Sequence, residues 1–426
     1  MTPDHQLRAD ATDIWWAGVE AVRADRIVRQ ALQPIEGGIR IVDRDYRTDE
    51  FGRLIVVGAG KAGAGMVRGL EESLAPWLPP DRWTGWVNVP ADCVRPTISI
   101  HLHAGRPAGV NIPTAAAVAG TNEILRLLAA ARPDDIVIVL LSGGGSALLT
   151  APAVGITLAD KQSVTALLSA RGASISDLNT VRRQLSRVKG GRLLAECSAR
   201  NVEVLIVSDV IGDPLATIAS GPTVPDPTTA RDALAVLNEY VPDRAAVAEG
   251  IWRLLEAPTS VANKPDHRPA ADMVVPQLTR HHVLANNRRA CDAAARRAAE
   301  LGYRVVDVRS DESGVAREVG QHLVQRAREM QAGLRVGDRP LCAISGGEPI
   351  VRLVETDLPR LGGRNQELAR SRRLSRPSRP TSRESPCFPA VRMVKTADRC
   401  RRRLRGSAGT WDDWAIRAGR PGSSCN

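Results

Sequence analysis

The chain has 426 residues, of which 43% are hydrophobic and 25% are charged. This composition is typical of a soluble globular protein that is long enough for two domains. The sequence has no apolar run of the about 18 residues that a membrane helix needs, and its first residues lack a signal-peptide pattern, so we expect a cytoplasmic protein without a membrane partner. Its seven cysteines are scattered and form no CxxC pair, so the sequence predicts neither a disulfide framework nor a zinc site.

The net charge of +11 is concentrated near the C-terminus. Residues 371–426 carry fourteen Lys and Arg against four Asp and Glu, so they hold ten of the eleven net positive charges. The preceding residues are nearly neutral and show no basic surface of the kind that binds nucleic acid. We therefore expect no nucleic-acid partner for the folded part of the chain.

Hydrophobic periodicity predicts strands that alternate with helices along the chain. The predicted helices cover residues 11–32, 64–74, 113–131, 158–170, 181–197, 230–256 and 287–301. The predicted strands cover residues 54–57, 86–89, 98–102, 136–141, 202–207, 283–285, 304–308 and 341–344. This alternation predicts an α/β fold with mainly parallel sheets sandwiched by helices. The polar, proline-containing segment 257–280 is a candidate domain boundary or exposed connection.

A glycine loop follows the most apolar predicted strand, in the sequence DDIVIVLLSGGGSALL. The loop consists of Ser142, Gly143, Gly144, Gly145 and Ser146, and a helix is predicted to begin directly behind it. Glycines leave backbone N–H groups open, and a helix start adds partial positive charge, so we expect a phosphate or carboxylate to bind there. The alternative is a tight strand-to-helix turn that binds no ligand.

An earlier strand, 54–57, is followed by the sequence GAGKAG, which formally matches the fingerprint of dinucleotide-binding proteins. The match is weak, because the next predicted strand ends without the acidic residue that would bind a ribose. The informative residue is Lys61, which can place a compact cation on a phosphate or on developing negative charge. The alternative for Lys61 is a solvated surface position.

Two carboxylates, Asp209 and Asp213, come just after the predicted strand 202–207. Such a pair can hold Mg²⁺ together with nucleotide phosphates, or Asp209 can act as a base on a hydroxyl group. Helix capping or turn formation is the alternative for each of them. The long Pro, Gly and Thr-rich loop 211–229 also contains Ser220 and Gly221, a second turn that could receive an oxyanion.

A second strand-end glycine motif, Ser345-Gly346-Gly347-Glu348, follows the last predicted strand. The sequence GGRNQEL comes after it and places Arg364 between a glycine pair and a polar helix start. An arginine at such a position can bind a carboxylate or phosphate through two parallel hydrogen bonds. Strand-end loops that carry Lys, Asp and Arg together indicate a site for phosphate and a small anionic substrate.

These motifs resemble those of a known family. VVGAGKAGAGM, LLSGGGSALL, SDVIGDPLATIASGPTVPDPTT, SGGEP and GGRNQELA, in this order and spacing, are similar to the class II glycerate 2-kinases, which carry a C-terminal MOFRL domain. Some members of this family have also been named hydroxypyruvate reductases. The resemblance covers roughly residues 10–370. It implies a Rossmann-like N-terminal domain over residues 1–280 and the start of an incomplete MOFRL-type domain over 281–370.

The resemblance also implies an activity, which is transfer of the γ-phosphoryl group of ATP to the 2-hydroxyl of D-glycerate, with Mg²⁺, to give 2-phosphoglycerate. By the same resemblance Lys61 and Arg364 match the family's motif lysine and arginine, and both are expected in an active site between two α/β domains. Phosphoryl transfer needs positioning and cationic stabilisation more than covalent chemistry, which agrees with these residue types. NAD(P)H-dependent reduction of hydroxypyruvate is the alternative activity. A homodimer is the candidate assembly, but the sequence leaves the oligomeric state open.

The sequence departs from the family's pattern after about Ala369. Residues 371–426 are rich in Arg, Ser and Pro and lack apolar periodicity, where relatives continue with an apolar helix, a strand and an Asp-bearing glycine motif. A shifted reading frame in a GC-rich gene would produce such a change, and a natural basic, disordered tail is the alternative. If the frame is shifted, we expect a chain that is unstable or weakly active.

Overall fold

The computed structural model describes residues 3–257, 278–335, 337–351, 363–374 and 391–394. In chain order its helices are α1 (Pro3–Glu20), α2 (Ala24–Ala31), α3 (Gly63–Leu74), α4 (Ala115–Ala129), α5 (Gly145–Leu148), α6 (Leu158–Ala170), α7 (Ile175–Gln184), α8 (Ala230–Tyr240), α9 (Glu249–Glu256), α10 (Asn287–Glu300), α11 (Ala316–Ala332) and α12 (Arg364–Leu374). Its strands are β1 (Leu32–Ile35), β2 (Gly38–Ile41), β3 (Arg44–Arg47), β4 (Leu54–Ala59), β5 (Trp83–Pro90), β6 (Ile100–Arg106), β7 (Ile136–Ser142), β8 (Asn201–Val207), β9 (Leu278–Ala285), β10 (Arg304–Glu312), β11 (Leu341–Gly347) and β12 (Val391–Val394).

The chain forms two compact units, a larger one of residues 24–286 and a smaller one of residues 1–23 and 287–426. The larger unit contains a six-stranded sheet in the order β6-β5-β4-β7-β8-β9, in which every neighbouring pair is parallel. This is the strand order of Rossmann folds, and it confirms the predicted α/β class with a mainly parallel sheet. The order reverses between β4 and β7, and ligands of such sheets bind at the carboxyl ends of the strands at this reversal point.

The two central strands have the composition that a doubly covered sheet requires. Every residue of β4 and β7 is buried, and alternate apolar residues of both strands share one core with α4. A second apolar core lies among helices α6 to α9 and includes Leu185, Leu237 and Trp252. These two cores hold the loops that follow β4, β7 and β8 on a rigid support.

The predicted helix over residues 181–197 is wrong. The helix in this region, α7, begins earlier because Ser174 and Asp177 form a capping box, in which each side chain accepts a hydrogen bond from the backbone of the other. The chain then leaves helical geometry because Gly190 and Gly191 adopt φ angles of +61° and +83°. Only a short 3-10 turn, Arg192–Leu194, follows.

Two further differences concern the N-terminal region. The predicted helix 11–32 is divided into α1 and α2, and the break separates the two units. Strands β1, β2 and β3 form an antiparallel sheet that the sequence analysis did not predict. Strand β9 pairs with β8 and completes the larger sheet, so the larger unit extends to residue 286.

The smaller unit is a second parallel α/β arrangement, with strand order β10-β11-β12. Its N-terminal helix α1 is attached to the region of α10. The Arg297 guanidinium donates to Asp13 Oδ2 at 2.6 Å, and the Tyr303 hydroxyl donates to Asp10 Oδ2 at 2.9 Å. These contacts explain why residues 1–23 belong to the unit that is formed mainly by the C-terminal part of the chain.

Some predictions fall outside the described ranges. Most of the predicted connection 257–280 lies outside them, and so does most of the segment 371–426. The described residues of that segment are the end of α12, which reaches Leu374, and β12, which pairs with β11. Among the helices that the structure describes, none combines the length and the apolar character needed to cross a membrane.

Candidate active site

Two loops meet where the strand order reverses. The loop after β4 and the glycine loop after β7 are joined by a hydrogen bond from Lys61 N to Gly143 O at 3.0 Å and by one from Ala62 N to Ser142 Oγ at 3.0 Å. Ser142 is only 2% exposed, so its hydroxyl holds the two loops together. The close approach requires Gly60, because a Cβ there would overlap Ser142 Oγ.

Two cationic side chains lie over the glycine loop. Gly144 has a φ of +79°, and the position that a Cβ would take on it is 2.9 Å from Lys61 Cε and 3.0 Å from Arg106 Nη2. Arg106 ends β6 and is 2% exposed. Gly144 is therefore required both by its backbone conformation and by the approach of Lys61 and Arg106. Sequence analysis missed Arg106, whose place at the carboxyl edge of the sheet depends on the pairing of β6 with β5.

Asp209 lies at the same loop. It follows β8, which is the neighbour of β7, and a Cβ on Gly143 would overlap its carboxylate. The structure therefore brings together three features that the sequence predicted separately: Lys61, Asp209 and the glycine loop. An anion bound at this loop would lie beside the Asp209 carboxylate, and a cation between the anion and the carboxylate would offset their repulsion.

Asp213 is held at the end of β9. Its φ is +53°, and its Oδ2 accepts a hydrogen bond from Asn286 Nδ2 at 2.5 Å. Its Oδ1 is buried without a hydrogen-bond partner in the described part of the chain. An acceptor in this state is suited to a cation. The described residues contain no cluster of three or more His, Cys, Asp or Glu that could hold a metal alone.

The turn at Ser220 packs against α5. Ser220 Oγ is 2.8 Å from Ser146 Oγ, and the Cβ position of Gly145 is 3.0 Å from Ala219 Cβ. Ala219, Ser220 and Gly221 have φ angles of +52°, +65° and +62°, so two residues with side chains adopt a left-handed backbone that costs energy. This strained turn is adjacent to the glycine loop, and its predicted role in binding an oxyanion stays a prediction.

Three cationic side chains lie at Ser146 or beside its partners. Lys189 is 1% exposed, and its Nζ donates to Ser146 O at 2.9 Å, to Ser146 Oγ at 3.0 Å and to Ala219 O at 3.4 Å. Arg182 Nη2 donates to the same Oγ at 2.7 Å. Lys161 is 5% exposed, and its Nζ has no hydrogen-bond partner among the described residues. We call Lys161, Arg182 and Lys189 the Ser146 cation cluster.

The electrostatics of this cluster are unfavourable without a ligand. Burial, followed by repulsion from Arg182 and Arg192, lowers the pKa of Lys161 to about 7. Burial and the neighbouring cations also hold the pKa of Lys189 well below its ordinary value. Burial lowers the pKa of Arg182. Each shift favours loss of a proton, so the cluster is poised to gain stability from a bound anion.

Sequence analysis missed the Ser146 cation cluster because it placed Arg182 and Lys189 inside one long helix. The available signal was the motif Lys189-Gly190-Gly191-Arg192, since a glycine pair beside two cations is uncommon in a helix. The two glycines turn the chain toward the loop after β8, where Gly191 N donates to Gly221 O at 2.8 Å.

Arg364 belongs to the smaller unit, where it begins α12. Its Nη1 donates to Glu348 Oε1 at 2.5 Å, and Glu348 follows the glycines that end β11. The two motifs that the sequence analysis connected, SGGE and GGRNQEL, are therefore joined by this ion pair. Gly346 has a packing role, because a Cβ there would lie 2.6 Å from Asn287 Oδ1.

The position that tests the dinucleotide fingerprint is the carboxyl end of β5. This strand contains no acidic residue, and Asn88 near its end is buried. The Asn88 amide donates to Leu148 O at 2.9 Å and to Thr121 Oγ1 at 3.3 Å, so it serves to pack α4 and α5 against the sheet. The ribose-binding carboxylate of dinucleotide-binding Rossmann folds is therefore absent from this strand.

Comparison with known proteins agrees with this arrangement. Residues 10–256 match a family model described as a domain of unknown function, DUF4147. A glycerate kinase from Bos taurus is 32% identical, over 87% of this chain and 76% of its own length. The chain belongs to the glycerate kinase family. A D-glycerate 2-kinase from Thermotoga maritima is 31% identical, over 87% of this chain and 80% of its own length. The crystal structure of a glycerate kinase from Thermotoga maritima has a TM-score of 0.68 and 30% identity, covering 87% of this chain and 80% of the other. The predicted family and α/β class are thus confirmed.

Proposed function

We propose that this member of the glycerate kinase family transfers the γ-phosphoryl group of ATP to the 2-hydroxyl of D-glycerate, giving 2-phosphoglycerate and ADP. The observation that carries the proposal is the gathering of Lys61, Arg106 and Asp209 at the glycine loop that follows β7. In the reaction a bond forms between the glycerate oxygen and the γ-phosphorus. The bond from that phosphorus to the bridging oxygen of ATP breaks, and its electron pair stays with ADP.

Lys61 and Arg106 are placed to stabilise charge in this reaction. Both side chains lie close to Gly144, and we place the bound oxyanion beside this part of the glycine loop. A buried guanidinium and a half-buried ammonium act more strongly on a transferring phosphoryl group than they would in water. Lys61→Met should lower kcat by about 10³-fold, which is the effect of removing one such donor, and Lys61→Arg should restore part of it.

The carboxylates fit Mg²⁺. Asp209 and Asp213 would hold the ion, because Asp209 lies against the anion-binding loop and Asp213 has a buried oxygen without a hydrogen-bond partner in the described residues. When bound, Mg²⁺ neutralises charge on the phosphates of ATP. Asp209 is also a candidate to accept the proton of the glycerate hydroxyl.

One variant separates these two roles of Asp209. If Asp209 holds Mg²⁺, the activity that Asp209→Asn loses should return when the Mg²⁺ concentration is raised. If it accepts the proton, added Mg²⁺ should not restore kcat, and the acidic limb of the pH profile of kcat should disappear. Asp213→Asn is the comparison, because Asp213 is assigned only the metal-binding role.

Arg364 is the residue of the smaller unit that we assign to an anionic group of the substrates. Its pairing with Glu348 holds the guanidinium in one orientation, and a guanidinium can bind a carboxylate through two hydrogen bonds. Arg364→Lys keeps the charge but not the paired donors, so it should raise the KM for D-glycerate by about tenfold or more. An unchanged KM of Arg364→Lys for D-glycerate would show that Arg364 does not bind glycerate.

The test of the proposed function is ADP formation from ATP that depends on both D-glycerate and Mg²⁺, with the phosphorylated carbon identified by NMR. The matched arm supplies hydroxypyruvate and NADH in place of the kinase substrates. NADH oxidation without ADP formation would overturn the proposal in favour of the reductase.

We also propose that residues 371–426 arise from a shifted reading frame. Their composition changes abruptly, and the alignment with the glycerate kinase from Bos taurus covers 87% of the chain. The coding DNA tests this directly. Translation after a shift of one or two bases near codon 370 should restore an apolar helix and an Asp-bearing glycine motif. If no such shift restores them, the proposal is wrong and the segment is a natural basic tail.

A further inference from the structure

The larger unit contains buried positive charge that no negative charge among its described residues matches. The Ser146 cation cluster consists of three cations, and no carboxylate among the described residues raises the pKa of any of them. Buried charges in proteins are normally paired, because an unpaired one is costly. The described residues therefore supply no counter-ion for the cluster, and a bound anion would provide one.

The nearest candidate for an internal counter-ion is already engaged. Asp226 is buried and forms an ion pair with Arg183 Nε at 2.7 Å. Its second oxygen accepts a hydrogen bond from Gln184 Nε2 at 2.9 Å, and its first accepts one from Thr228 Oγ1 at 2.7 Å. Asp226 raises the pKa of Arg192, but it is not among the groups that act on Lys161 or Lys189.

Ser146 connects the cluster to the reaction site. Its Oγ accepts hydrogen bonds from Arg182 and Lys189, and it is partly exposed, as is Arg182. Two residues earlier, Gly144 faces Lys61 and Arg106. One short segment thus carries two separate positive groups, one at Gly144 and the other at Ser146.

We infer that the Ser146 cation cluster binds the phosphate chain of the nucleotide, while Lys61 and Arg106 serve the glycerate and the transferring phosphoryl group. The inference rests on the proposed function. The amount of charge favours this division, because the terminal phosphates of ADP carry two to three negative charges at neutral pH, whereas the carboxylate of glycerate carries only one. When an anion holds both lysines protonated, the three side chains of the cluster match the charge of the phosphates and would overcompensate that of glycerate.

Calorimetric titration of ADP and of D-glycerate into the full chain tests this division. Lys189→Met should weaken ADP binding by about 30-fold or more and change D-glycerate binding by less than about twofold, since removing one hydrogen-bonded charge from a buried site costs about 2 kcal/mol or more. Arg182→Met should act in the same direction. Arg231→Met is the matched control, because it removes an exposed cation from α8 and should leave both affinities unchanged.

A second readout does not depend on whether Lys189→Met folds normally. A bound phosphate should raise the pKa of Lys161 from about 7, so ADP binding near pH 8 should take up protons, as seen when the binding enthalpy is compared in buffers of different ionisation enthalpy. The charged groups that act on Lys161 are Arg182 and Arg192, and both remain protonated. Lys161→Arg keeps the charge and should reduce the proton uptake.

The outcomes are distinguishable from failure of the proposed function. The inference is overturned if Lys189→Met and Arg182→Met bind ADP as the wild type does, if they lose D-glycerate affinity instead, or if proton uptake is unchanged in Lys161→Arg. The proposed function fails separately, if the wild-type chain forms no ADP from ATP and D-glycerate.

Discussion

The larger unit buries charged side chains in two places, at Glu203 and in the Ser146 cation cluster. The two places differ in the partners that the charged groups have. Glu203, on β8, is fully buried, and its carboxylate accepts hydrogen bonds from Tyr46 Oη at 2.5 Å, Arg280 Nη2 at 2.6 Å and His282 Nε2 at 2.8 Å. Burial alone raises its pKa, but the hydrogen bonds from His282, Arg280 and Tyr46 outweigh burial and leave the pKa below its ordinary value. No carboxylate in the described ranges acts on the Ser146 cation cluster, and burial dominates its pKa shifts.

This difference separates a structural site from a ligand site. The network around Glu203 is complete without a ligand, and it ties β3 and β9 to β8. The Ser146 cation cluster is incomplete without one, so it lowers the stability of the free protein. A buried charge that is retained despite this cost is best explained by binding.

The largest expected effect is on stability, in Glu203→Gln. Loss of the carboxylate charge leaves the partly buried Arg280 without its counter-ion, which should lower the free energy of unfolding by about 3 kcal/mol. Urea denaturation measures this change. Glu123→Gln is the control, because it removes a carboxylate from an exposed ion pair with Arg126 and should change stability by less than about 1 kcal/mol. Equal effects of the two variants would contradict the structural role of Glu203.

A smaller effect is expected in activity, in Gly144→Ala. The new Cβ would press on Lys61 Cε and Arg106 Nη2, and we expect kcat/KM to fall by about 10- to 100-fold. Gly172→Ala is the matched control for backbone strain. Gly172 has a similar φ of +83°, but no atom lies within 4 Å of its Cβ position. Both variants should lose about 1–2 kcal/mol of stability to backbone strain. An equal loss of activity in both would show that strain alone is responsible.

A third, weaker effect is the change of the unfolding free energy at acidic pH. The folded protein holds the pKa of Glu203 below the unfolded value of about 4.3, so the stabilisation is complete above that pH and is lost as the pH falls through the lower, folded value. The difference in unfolding free energy between wild type and Glu203→Gln should therefore shrink below about pH 4. A difference that stays constant from pH 7 to about pH 3 would contradict this assignment.

The sequence predicted the parts of the site that follow buried strands. The apolar runs of β4, β7 and β8 mark where the chain reaches the edge of the sheet, so Lys61, the glycine loop and Asp209 could be placed at one edge before the structure was known. The Ser146 cation cluster could not be placed in this way. It depends on the turn at Gly190 and on long-range packing of α6 and α7, which leave no periodic signal in the sequence.

The same limit applies to Arg106 and to the network of Glu203. Arg106 lies at the edge of the sheet only through the register of β6 against β5. Glu203 sits within an apolar strand, where the sequence gives no indication that Tyr46 and Arg280 lie within hydrogen-bonding distance.

The most direct test is a thermal melt of wild type and Lys161→Met, each with and without saturating ADP. Without ADP the variant should melt higher by about 2–4 °C, because an apolar side chain replaces an unpaired buried charge. With ADP the order should reverse or the gap should close, because the wild type binds the nucleotide more tightly and gains more stability. If Lys161→Met instead melts lower without ADP and gains the same shift with it, the cluster stabilises the fold rather than binding the nucleotide.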